Sequence, residues 1–95
     1  MNSEKAIREK LLAEIASEKR ILKNTKILYD IFSSYQYGGD RTDRTEQFVI
    51  NMIKNSGLST AIEYINWLNY CIEKTEKKIM ELMRKYAQVK YAGKY

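Results

Sequence analysis

The side chains best suited to chemistry stand in one run, Tyr37-Gly-Gly-Asp-Arg-Thr-Asp-Arg-Thr-Glu-Gln47. Gly38 and Gly39 can adopt positive φ, so backbone amides there and at the start of a following helix could cradle an anion. Arg41 and Arg44 would add charge-assisted contacts to a phosphate or carboxylate. Asp40, Asp43 and Glu46 neutralise the same run, and no Gly-Lys-Ser/Thr follows at the spacing of a Walker loop. The run therefore reads first as a bend between helices. Its second reading is a protein-binding tip anchored by Tyr35, Tyr37, Arg41 and Arg44, because Tyr and Arg are favoured interface residues.

A second stretch, "QFVINMIKNSGLSTAIEYINWLNY", has the lengths of a helix-turn-helix. Ile53 stands where a small residue normally lets the two helices approach. The would-be recognition segment from Ser59 to Ile72 has no Lys or Arg and carries Glu63. DNA readers need cations there for phosphate and guanine contacts. Glu63, Tyr64, Asn66 and Trp67 are expected to form a protein-facing surface instead.

The third candidate is the basic tail. Arg84, Lys85, Lys90 and Lys94 come without an acid after Glu81, interleaved with Tyr86, Tyr91 and Tyr95. Cations with aromatics can hold single-stranded nucleic acid or lie on an anionic membrane. Lys19, Arg20, Lys23 and Lys26 make a second basic cluster. Both clusters read first as solvated faces, with weak, non-specific nucleic-acid binding as the alternative.

Much else is excluded by composition. With no histidine and one cysteine, neither a zinc site of nitrogen and sulfur ligands nor histidine-based catalysis can be assembled within one chain. No pair of side chains forms a catalytic constellation, so no enzymatic activity and no cofactor is expected. Cys71 excludes an internal disulfide and reads as a small buried hydrophobe. The net charge of +5 modestly favours acidic partners. No apolar run reaches membrane-spanning length, and the start "MNSEKAIREK" carries charges where a signal peptide is apolar. A cytoplasmic protein is expected.

Helices must position these candidates. Among 95 residues there is no proline, and glycine occurs only four times. The pattern predicts one all-α domain of three helices, long–short–long, at about 3–35, 44–55 and 59–90, with a loop at 36–43. Helix 1 carries the seam Leu11, Ile15, Glu18, Leu22, Thr25, Tyr29 and Phe32, and a second strip of Ile21, Leu28, Ile31 and Tyr35. Asp43 and Glu46 stand at the spacing of a capping box for helix 2, whose apolar face is Phe48, Val49, Met52 and Ile53. Gly57 suits the left-handed position that ends it, with Leu58 folding back and Ser59 capping helix 3. Helix 3 holds an unbroken three–four seam from Leu58 to Val89, with Thr75 its one polar member. Bundle core and antiparallel coiled-coil packing both fit that seam. Ile65, Leu68, Ile72, Ile79 and Leu82 would be its oligomer-forming residues, and a homo-oligomer is expected.

The long first helix, "YGGDRTDRTE" and "QFVINMI" resemble the N-terminal part of small phage and prophage regulators related to autolysin transcriptional regulators. A Lys, Ile, Asn and Tyr bias suits a mobile element of a low-GC bacterium. A second resemblance is to helical-hairpin proteins of the ESAT-6 type, which have a Trp-x-Gly bend where this chain has Tyr35-Gln-Tyr-Gly-Gly. The first resemblance implies a phage protein acting on a macromolecular machine, either as a transcription regulator or as an inhibitor of a defence complex such as a CRISPR effector. Its partner would be a protein or ribonucleoprotein. The second implies a secretion-associated hairpin.

Overall fold

The computed structural model describes the backbone of residues 2–39 and 41–92 and the side chains of residues 3–39 and 41–89. It holds three helices, α1 (Asn2–Tyr37), α2 (Asp43–Ser56) and α3 (Ala61–Ala92), and no strand among the described residues. The all-α, long–short–long reading of the sequence is the observed architecture. The side chains of Lys90 and Tyr91, and all of Asp40, Lys94 and Tyr95, lie outside the described residues.

The chain divides into two compact units. The first is built from Met1–Lys23 and Glu73–Tyr95, so the early part of α1 meets the late part of α3. The buried side chains here are Ile15, Ile79 and Leu82, with Leu11 and Leu22 partly buried. Glu18 sits in the middle of this apolar seam. Its Oε1 accepts from Lys78 Nζ at 2.9 Å, and its side chain is only 16% exposed. That hydrogen bond and the nearby charge raise the Lys78 pKa above its ordinary value. A carboxylate at a seam position is tolerated because a long lysine reaches it from the facing helix while staying largely in water.

The second unit is Asn24–Ile72. Its core is Phe32 from α1, Val49 from α2, and Tyr64, Ile65 and Leu68 from α3. Phe32 is 0% exposed. Its ring stacks on Tyr64 at 4.4 Å between centroids and meets Phe48 edge-on at 6.4 Å. Leu28, Ile31 and Tyr35 pack around this core, as the second apolar strip of α1 requires, but Ile21 of that strip stays exposed. The amphipathic α2 adds Met52 and Ile53 from the same face as Val49.

Two helix caps differ from the sequence reading by one residue. The cap of α2 is Thr42 rather than Asp43. Thr42 is extended (φ −63°, ψ 150°), and its Oγ1 accepts the Thr45 amide at 3.3 Å. A cap needs that non-helical backbone, whereas Asp43 is already helical and serves the positive helix end by charge. Glu46 does not reach back to close a box; its Oε1 accepts from the Tyr35 hydroxyl at 3.5 Å. Likewise Thr60, not Ser59, caps α3: its Oγ1 accepts the Glu63 amide at 3.1 Å, and Glu63 Oε2 accepts the Ser59 amide at 3.2 Å. The end of α2 is as expected, with Gly57 at φ 81°, a left-handed conformation that strains other residues.

The α3 seam serves as core. Ile65, Leu68, Ile72, Ile79 and Leu82 are all buried within the single chain. Their burial is the bundle-core packing that the seam allowed.

Candidate protein-docking groove

Where α2 ends and α3 begins, an open groove of about 360 Å³ is lined by Met52, Asn55, Ser56, Leu58, Tyr64 and Trp67. Local rules build it. The last turns of α2 present Met52, Asn55 and Ser56 at helical spacing. Ser56 holds the turn, its Oγ donating to the Ile53 carbonyl at 2.7 Å and accepting the Leu58 amide at 3.1 Å. Gly57 then reverses the chain, and Leu58 packs back against the core. From α3, Tyr64 and Trp67 stand three apart on one face.

The two aromatics play different parts. Tyr64 was expected on the surface, but it is only 4% exposed. It flanks the α3 seam, and α1 and α2 close over that flank, so its ring becomes core. Burial, and secondarily Cys71, raise its hydroxyl pKa above 10.0. Trp67 lies 5.7 Å from the Tyr64 ring, tilted by 60°, and is 49% exposed. A large indole is thus backed by the core on one side and open on the other. Asn55 and Ser56 give the groove a polar rim. Such a lining can take a bulky apolar side chain and orient it by a few hydrogen bonds.

The loop residues are arranged differently from a free tip. The Arg41 guanidinium lies 4.6 Å above the Tyr35 ring, and Tyr35 is partly buried against the core and bonded to Glu46. Arg41 and Tyr35 therefore hold the α1–α2 connection together. Tyr37 is exposed, and Arg44 lines a smaller hollow of about 250 Å³ with Ile31, Thr45 and Phe48. An anion cradle loses one of its amides, because Gly38 N–H donates to the Ser34 carbonyl at 3.0 Å and extends the helix end. Gly39 supplies the positive φ of the bend.

Lys19, Arg20, Lys23, Lys26, Arg84 and Lys85 are exposed, while Lys90 and Lys94 fall outside the described side chains. Cys71 is partly rather than fully buried. Among the described residues no group of His, Cys, Asp or Glu could hold a metal ion, and no helix is long and apolar enough to cross a membrane. Met52, Asn55 and Leu58 were missed as site residues by sequence reasoning. The Gly57 turn was the available signal, since it brings the ends of two helices onto one side.

No family model, curated protein or solved structure matches the chain.

Proposed function

We propose that this chain is a non-enzymatic binding protein whose Asn24–Ile72 unit docks a protein partner through the Trp67 groove. The observation that supports this reading is a half-exposed tryptophan backed by buried Tyr64 over an apolar hollow. A tryptophan held this way is preorganised, so binding costs little side-chain entropy. Tryptophan and tyrosine dominate binding energy at interfaces, whereas Met supplies adaptable apolar contact. The partner contributes a bulky apolar anchor to the groove. The resemblance to autolysin-type regulators supports a phage or mobile-element origin, with the partner part of a transcription apparatus or a host-defence complex in the cytoplasm.

The test is affinity capture from the host with the tagged chain, followed by measured binding of the recovered partner to variants. Trp67→Ala should weaken that binding by roughly 2 kcal/mol or more, about 30-fold. Ile50→Ala, which trims an exposed side chain of α2 outside the groove, should leave it unchanged. Equal affinity of Trp67→Ala and the parent chain would sink the reading.

A further inference from the structure

Charge is unevenly shared between the two units. The segments Met1–Lys23 and Glu73–Tyr95 hold thirteen Lys and Arg against seven Glu, whereas Asn24–Ile72 holds four against five acids. The positive excess of the protein thus belongs to the unit that does not contain the Trp67 groove. Within it the structure joins groups that are far apart in sequence. Lys5, Arg8, Glu9 and Leu12 from the first turns of α1 and Tyr86 from late α3 line a hollow of about 280 Å³. Tyr86 occupies a seam position, yet it is only partly buried and borders this hollow. Arg8 is also partly buried, and Lys5 is exposed.

An aromatic ring beside two cations, an aliphatic side chain and a single carboxylate, Glu9, can hold one nucleotide of a single strand, the cations outnumbering the acid. The base stacks on the ring and the phosphates meet the cations. The track continues along α1. Lys5, Leu12 and Lys19 recur every seven residues, which places them on one flank of the helix. Lys5 and Lys19 are separated by roughly 21 Å of helix, enough to follow a strand over several phosphates. Duplex DNA fits less well, because a paired base cannot reach Tyr86 without leaving its stack. An anionic membrane would use the cations but not an aromatic slot between helices.

We propose that this unit binds single-stranded nucleic acid, with one base on Tyr86, adjacent phosphates on Lys5 and Arg8, and the strand running on toward Lys19. The proposal is independent of the protein-docking reading, since no groove residue is shared.

The experiment measures fluorescence anisotropy of the full chain with labelled single-stranded and duplex oligonucleotides of mixed sequence, across a salt series. Single strands should bind more tightly than duplexes. Tyr86→Leu should weaken single-strand binding roughly 10-fold, whereas Tyr86→Phe, which keeps the ring, should retain it. Lys5→Gln with Arg8→Gln should weaken it and lower the salt slope by about 1.4, the expectation for two lost phosphate contacts. Trp67→Ala should leave it unchanged, which separates this site from the docking groove. Circular dichroism confirms that each variant is folded. Several results would overturn the proposal. These are no single-strand binding at low salt, equal binding of duplex, equal affinity of Tyr86→Leu and Tyr86→Phe, and capture by vesicles containing anionic lipid in place of oligonucleotides.

Discussion

Phe32→Ala tests the core that supports the docking groove. Phe32 is fully buried and stacked on Tyr64, and Tyr64 in turn backs Trp67. Removing the ring forfeits its transfer free energy, the aromatic pair worth ~0.5–1.5 kcal/mol, and the contacts around the cavity left behind. Together these amount to about 3–5 kcal/mol, the usual range for a buried Phe→Ala change. A chain of this size is stable by roughly 5–14 kcal/mol, so the variant should stand near the edge of folding. The milder Phe32→Leu should lose roughly 1–1.5 kcal/mol. Urea unfolding can be followed by far-ultraviolet circular dichroism and by the fluorescence of Trp67, the only tryptophan. The two probes read helix content and the groove separately. A loss below about 1 kcal/mol for Phe32→Ala would refute the claim that this ring is the centre of the second unit.

Two further predictions concern the caps and the alkaline limb. Thr42→Ala should cost ~0.5–2 kcal/mol, while Asp43→Ala should cost only a few tenths, because Asp43 acts on the helix end by charge alone; thermal melts of the pair decide between them. Tyr64 has a folded pKa raised above 10.0, so its contribution is fully present below the unfolded value and is lost as pH rises through the folded one. The parent chain should therefore lose stability more steeply above pH ~10 than Tyr64→Phe does, and parallel pH profiles of the two would contradict the buried hydroxyl. Lys78, also raised, loses its pairing with Glu18 in the same direction but is common to both chains.

Much of the fold was legible because helix seams are a local code. Leu11, Ile15, Leu22 and Phe32 on α1, and the apolar series on α3, repeat at the spacing that puts them on one face, and each is at least partly buried. Glu18 could be seen to interrupt its seam, but its partner could not be seen, since Lys78 arrives from a helix distant in sequence. The caps were misplaced by one residue because Thr42–Asp43 and Ser59–Thr60 each offer two adjacent polar residues, and backbone conformation chooses between them.

The sites were less legible for a related reason. Tyr64 has polar or amphipathic neighbours in Glu63, Asn66 and Trp67, which suggested an outward face. The short α2 widens the buried sector of α3 and takes that ring into the core. Tyr35 and Arg41 looked like free anchors, but the bend brings them together and uses them internally. Juxtapositions of the beginning of α1 with the end of α3, such as Arg8 and Tyr86 around one hollow, leave no trace in a one-dimensional pattern.

The most direct test of the docking claim uses Trp67 as its own reporter. Its emission and its quenching by acrylamide are measured in the isolated chain and again as the captured partner is added. The docking account expects a solvent-exposed signal at first, then a shift to shorter wavelength and protection from the quencher, saturating with the binding curve. A partner that binds at full affinity while the emission and quenching of Trp67 stay as they were would contradict it.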